Sequence, residues 1–268
     1  MKSPMCSDLA PGQAVQGVFL VQSKDVRQKK TGEPYLSLVL MDRSGEVEAK
    51  MWDNVADVLE TFDRDDFVRV RGQTSLYQGK TQLTVHSLQR ISDGDVDISD
   101  FLPVSRRDPD EMWLELEETV DSITNPHLKA LLRAIFGDRE IAEAYRRAPA
   151  AKGIHHAWIG GLLEHVLSMC GLARFFASHY PGIDRDLLLA GVLLHDIGKI
   201  RELDFSRSFS YTAEGGLVGH IQIGLRIVAD HLPPDFPPKL RNLLEHLILS
   251  HHGQLEFGSP KLPCIAEA

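Results

Sequence analysis

Residues 187–200 read LLLAGVLLHDIGKI. The apolar run Leu187 to Leu194 is the longest in the chain and is much too short to span a bilayer. It reads instead as a buried helix, predicted over 184–197, whose end carries His195 and Asp196 side by side before Gly198 and Lys199. An imidazole and a carboxylate at one helix end can turn toward the same ion. Histidine supplies a borderline nitrogen ligand, and aspartate an oxygen pair able to bridge two metals.

The helical period continues on both sides of this stretch. Met112, Trp113, Leu116, Val120 and Ile123 recur at three- and four-residue steps, as do Leu128, Leu131, Leu132 and Ile135. Further helices are predicted at about 140–147, 158–179, 216–231 and 238–250, with proline or glycine in the gaps. Ten of the 12 histidines fall between His155 and His252. Besides His195 and Asp196, the candidate ligands are His165 on the preceding helix, His220 on the following one, and His251 with His252 at the end of the last. Several helices each presenting His or Asp inward is how a helical bundle builds a metal site. His86, His127, His179 and His231 read as hydrogen-bonded core residues, and His246 as core or a support for a ligand. His155 and His156 fit either substrate phosphate or a helix cap, and Glu164 either the helix surface or a partner orienting its neighbour His165.

Up to about Ile91 the period is two. Leu36, Leu38 and Leu40 form one row, Val68 and Val70 alternate with Arg69 and Arg71, and Leu83 and Val85 alternate with polar neighbours. Turn residues separate five short strands, and a helical interruption falls around Asn54 to Thr61, so a small closed barrel is expected. Such barrels bind single strands with stacked aromatic rings and a cationic groove. The candidate nucleic-acid residues are Tyr35, Lys50, Trp52, Arg69, Arg71 and Tyr77, with Lys29, Lys30 and Lys80 nearby. Taken singly, each is equally consistent with an ordinary barrel exterior.

The fold class is therefore β plus α in two domains: a small OB-type β-barrel over 1–92, an acidic linker over 93–109, and an all-α helical bundle over 110–268. The formal charge of −9 argues on its face against a nucleic-acid partner. It is not shared by the two modules. Residues 1–92 and 122–268 are each neutral, and the whole excess lies in residues 93–121, with 2 basic and 11 acidic side chains. Cys6, Cys170 and Cys264 are odd in number and far apart, which fits a reducing cytoplasm and no disulfide framework. The N-terminal MKSPMCSDLAPG has no apolar core of a signal peptide. No membrane association is expected. There is no P-loop or dinucleotide fingerprint.

The order His165, His195-Asp196, His220, His251-His252 resembles that of the HD-domain metal-dependent phosphohydrolases. The strings HHAWIGGLLEHVLSM, LLAGVLLHDIGKI, VGHIQIG and LILSHHGQLEFGSP, behind an OB-type module, are similar to the YhaM-type bacterial 3′–5′ exoribonucleases from about residue 13 onward. The resemblance implies a first divalent ion on His165, His195 and Asp196, and a second on Asp196, His220, His251 and His252. It further implies catalysis through Asp196, with Lys199 reaching a phosphate oxygen. Mn, Fe, Co, Ni and Zn suit such ligands about equally. The family's first metal also takes a late aspartate, and here no aspartate follows Asp235. The ending Ile265-Ala266-Glu267-Ala268 looks like the start of the helix that carries it, so the chain is expected to be truncated there.

The expected activity is metal-dependent hydrolysis of single-stranded RNA, or DNA, from the 3′ end. Two alternatives stay open: hydrolysis of a free nucleotide, and a nucleic-acid-binding scaffold whose HD domain is inactive. Oligomeric state does not follow from the sequence.

Overall fold

The computed structural model describes residues 4–268. The chain divides into two compact units, Met1–Pro103 with Ser206–Ser208, and Val104–Phe205 with Phe209–Ala268.

In the first unit β1 (Ala14–Gln28), β2 (Pro34–Asp42), β3 (Gly45–Met51), β4 (Phe67–Tyr77) and β5 (Lys80–Ile91) close a barrel in the order β1-β2-β3-β5-β4. All ladders are antiparallel except β3 with β5, where Ala49 pairs with Leu83 and Met51 with Val85. Alternation sends one row of each strand inward, because successive side chains of a strand point to opposite faces. Phe19, Leu36, Leu38, Leu40, Ala49, Met51, Val68, Val70 and Leu83 fill the interior with essentially no exposure. The same alternation leaves Arg69, Arg71 and Trp52 exposed and Lys50 half-buried. The predicted helical interruption is a single turn, α1 (Val55–Val58), between β3 and β4.

Of the stretch expected as linker, residues 93–103 group with the barrel. Short 3-10 turns form at Asp93–Asp95 and Ile98–Asp100. Phe101 is buried, its ring 4.8 Å from that of Phe67, in a small cluster with Leu20 and Ile91. Phe101, with Leu102 also buried and Val96 and Ile98 packed against the same cluster, docks a segment whose pattern reads as unstructured.

The second unit is helical: α2 (Pro109–Asp121), α3 (Pro126–Gly137), α4 (Arg139–Arg147), α5 (Gly161–His179), α6 (Arg185–Leu194), α7 (Lys199–Glu202), α8 (Ala213–Val218), α9 (His220–Asp230) and α10 (Pro238–Ser250). Its starts are chemically marked. Asp108, Asn125, Asp138 and Asp184 each accept two backbone N–H bonds at the head of α2, α3, α4 and α6, and proline opens α2 and α3. One continuous core of apolar side chains, from Met112 to Ile248, joins the helices. Two features differ from the sequence pattern. The helix expected over 216–231 is broken at Gly219, whose φ of 79° no helix tolerates, so α8 and α9 are separate. A two-residue hairpin, β6 (Leu203–Asp204) with β7 (Ser210–Tyr211), follows α7 and is too short to leave an alternating signal. Among the described residues no helix is long and apolar enough to cross a membrane.

Candidate functional site

Helix α6 is apolar nearly all round, with Leu187, Leu189, Ala190, Leu193 and Leu194 buried, so its C-terminal end is delivered into the core. The chain then turns through His195–Gly198 into α7. The turn needs glycine: a Cβ on Gly198 would fall 1.9 Å from the carbonyl oxygen of His220. That close approach sets the first residue of α9 beside Asp196.

The Asp196 carboxylate is 4% exposed, and its two oxygens face different neighbours. Oδ2 lies 3.2 Å from His195 Nε2, 3.9 Å from His165 Nε2 and 2.8 Å from Lys199 Nζ. Oδ1 lies 3.6 Å from His220 Nε2 and 3.7 Å from His251 Nε2. Ligand atoms sharing one ion at about 2.0–2.2 Å lie roughly 3–4 Å apart. His165, His195 and Asp196 thus form one group that could hold a metal, and His220, His251 and His252 another. The sequence places these six residues over 88 positions, and the fold brings all of them together.

Electrostatics keeps most of this site ready for a cation. Burial, then the neighbouring His195, push His165 and His251 down to about 4, so both imidazoles are neutral near pH 7. Burial and His220 lower His252 as well. Burial opposes the charge on Asp196, but His195 and Lys199 outweigh it and hold the carboxyl well below the ordinary range. For His195, burial is outweighed by the Asp196 carboxylate, which raises its pKa.

Asp196 Oδ1, His220 Nε2, His251 Nε2 and His252 Nδ1 are buried without a hydrogen-bond partner. An orphaned buried polar atom costs about 1–3 kcal/mol, so the three that face one another, on Asp196, His220 and His251, mark a place where a ligand belongs. Nitrogen and carboxylate oxygen are the donors a divalent transition metal takes, and the residues fit such an ion. A cavity of about 430 Å³ opens on the cluster, lined by His165, His195, Asp196, Lys199, His251 and His252 together with the apolar Leu188, Val192 and Leu247. Glu267 also lines it, but its Oε1 accepts the backbone N–H of Asp184.

Three residues support the candidate ligands, and only Glu202 carries no signal in the sequence. Glu202 is buried and takes both the backbone N–H and the ring Nδ1 of His220 at 2.9 Å. His155 Nε2 lies 3.1 Å from His165 Nδ1. Glu164 accepts from Trp158 Nε1 and Ser105 Oγ, at 2.8 and 2.7 Å, which fixes the residues before α5. His246 packs at a distance from the cluster, its Nε2 accepting the backbone N–H of Cys264 at 3.1 Å.

On the barrel the pairing of Leu36 with Met51 sets Tyr35 opposite Trp52, and their rings stack at 4.5 Å between centroids. Lys50 Nζ sits 5.7 Å from the Trp52 ring, 5.3 Å from Tyr77 and 6.0 Å from Tyr35. Four of the six candidates therefore form one cationic, aromatic patch, an arrangement that stacks bases without reading sequence. Arg69 and Arg71 lie farther along the outward row of β4, opposite Gln89 and Ser87 of β5. Lys29 is committed to Glu33 and Asp53, at 3.2 and 3.6 Å.

Comparison with known proteins gives two family matches, an HD domain over residues 162–265 and an OB-fold nucleic acid binding domain over residues 21–91. A protein named 3′-5′ exoribonuclease YhaM from Bacillus subtilis (strain 168) is 40% identical over 261 residues, 96% of this chain and 82% of its own. Proteins of the same name from Bacillus velezensis and from Geobacillus sp. (strain WCH70) are 38% and 37% identical over the same share of this chain, covering 82% and 79% of their own length.

Proposed function

The chain belongs to the YhaM family of 3′–5′ exoribonucleases, and from that premise we propose that it hydrolyses single-stranded RNA from the 3′ end at the Asp196 cluster. The observation that carries this reading is the set of unpartnered buried atoms, on Asp196, His220 and His251, converging where two groups of ligand-type residues meet.

His165, His195 and Asp196 Oδ2 would hold one divalent ion, and Asp196 Oδ1, His220, His251 and His252 a second. Bound there, divalent ions supply Lewis acidity toward a phosphodiester oxygen and lower the pKa of water. The chain's own residues do the rest. Asp196, kept ionised by His195 and Lys199, offers one oxygen to each side of the site. Lys199, in the cavity wall, places an ammonium where a non-bridging phosphate oxygen can share it, which stabilises charge that builds in the transition state. The apolar wall of Leu188, Val192 and Leu247 gives the terminal nucleoside a dry surface. The patch of Tyr35, Lys50, Trp52 and Tyr77 would hold the strand by stacking and charge rather than by base edges, so little sequence preference follows.

The test is release of nucleoside monophosphates from an oligoribonucleotide labelled at its 3′ end, with Mn²⁺ present. Stepwise release that His195→Ala abolishes is expected. Equal release by both proteins, or none by either, contradicts the reading, and a matched deoxyribonucleotide strand sets the preference between RNA and DNA.

A further inference from the structure

Four imidazoles turn Nε2 toward Asp196, and three have their other nitrogen on an oxygen. His195 Nδ1 is 2.8 Å from the carbonyl of Val192, His251 Nδ1 is 2.8 Å from the carbonyl of Ile248, and His220 Nδ1 is 2.9 Å from Glu202 Oε1. A carbonyl or an ionised carboxylate only accepts, so each of these rings, when neutral, keeps its proton on Nδ1 and turns the Nε2 lone pair toward Asp196.

His165 has no such oxygen. Its Nδ1 faces His155 Nε2 at 3.1 Å. A neutral imidazole nitrogen either donates or accepts, so this contact has two arrangements. With His165 donating, its Nε2 lone pair points at Asp196. With His155 donating, the proton of His165 moves to Nε2 and the ring cannot ligate.

The loop ahead of α5 is shaped around this contact. Ile154 and His156 flank His155 with φ of 66° and 47°, left-handed values that non-glycine residues seldom take. The His156 carbonyl accepts from Ala150 N–H at 3.1 Å and Trp158 N–H at 2.9 Å, and a Cβ on Gly161 would fall 2.0 Å from that oxygen. Trp158 in turn is held by Glu164, the neighbour of His165. Backbone strain held in place by a glycine contact and a half-buried carboxylate marks a position that is over-determined by its surroundings.

We propose that His155 is a positioning residue: it accepts the Nδ1 proton of His165 and thereby turns the His165 Nε2 lone pair toward Asp196. The inference rests on the metal-centre reading above.

The experiment pairs Mn²⁺ titration calorimetry with long-range ¹H–¹⁵N spectra of histidine-labelled, metal-free protein, for wild type, His155→Ala, His155→Gln and His195→Ala. Glutamine keeps an accepting oxygen. His155→Ala is expected to bind Mn²⁺ about 10- to 100-fold more weakly, and His155→Gln within about threefold of wild type. The spectra should show the neutral His165 ring with its proton on Nδ1 in wild type and His155→Gln, and as a mixture of the Nδ1 and Nε2 tautomers in His155→Ala. Unchanged affinity and tautomer in His155→Ala would overturn the inference, as would equal loss in Ala and Gln. If wild type binds no better than His195→Ala, the metal-centre reading fails, while the metal-free tautomer still decides the role of His155.

Discussion

One oxygen of Glu202, Oε1, receives both the backbone N–H and the ring Nδ1 of His220, each at 2.9 Å. The arrangement exists because Gly219 ends α8, so the first N–H of α9 is free to be capped from another helix. Burial opposes the charge on Glu202, and the hydrogen bonds from His220 outweigh it, so the carboxyl stays below its ordinary pKa. The carboxylate thus caps a helix and orients a candidate ligand together.

Glu202→Ala should therefore show two effects. Loss of the buried acceptor destabilises the protein by about 1–3 kcal/mol, read from the denaturant midpoint. Release of the His220 ring weakens Mn²⁺ binding by about 10- to 100-fold. A stability loss with unchanged affinity would leave Glu202 as a cap alone.

The barrel patch makes a separable prediction. Trp52→Ala removes one ring of the Tyr35–Trp52 stack and should weaken binding of a single-stranded oligonucleotide by about 1–3 kcal/mol. Lys50→Ala should flatten the salt dependence by about one unit of slope. Fluorescence anisotropy over a salt series measures both.

Acid response follows from the lowered imidazoles. His165 titrates at about 4 in the folded protein, and an unfolded histidine at about 6.5. Between those values the unfolded chain binds a proton the folded chain refuses, so His165 lowers the stability of metal-free protein as pH falls from about 6.5 to about 4, and has no effect above that window. His195, with a raised pKa, acts in the opposite sense: its contribution is present below 6.5 and fades as pH rises through the raised value. The difference between wild type and His165→Gln isolates the first effect. Their urea midpoints should diverge with pH, wild type losing more on acidification, and parallel profiles would contradict it.

The cysteines should react unequally. Burial raises Cys6 and Cys170 to about 12, Asp42 adding to it for Cys6, whereas Cys264 is exposed. Because the thiolate is the nucleophile, iodoacetamide at pH 8 should modify Cys264 first in the native protein, and all three only after unfolding. Mass spectrometry of the intact chain reads the count, and early labelling at Cys170 would show that the helical core opens.

Much of this architecture is legible in the sequence because its signals are local. The alternation of Val68 and Val70 with Arg69 and Arg71, and the apolar run into His195-Asp196, follow from strand and helix periods that any few residues reveal. The separation of charge into residues 93–121 is likewise a property of the sequence alone, as is the order of candidate ligands. The break at Gly219 was hidden because glycine is tolerated in helices as well as ending them.

What the tertiary structure decided is which atoms meet. No period connects Glu202 to His220, His155 to His165, or Phe101 to Phe67; these pairs depend on how helices cross and loops return. The division of the Asp196 carboxylate, Oδ2 toward His165 and His195 and Oδ1 toward His220 and His251, is set by the close approach of α7 to α9 that Gly198 permits. The sequence determined the chemical types and their order along the chain. Their geometry arose only when distant segments packed, because contact between them depends on the whole core and not on neighbouring residues.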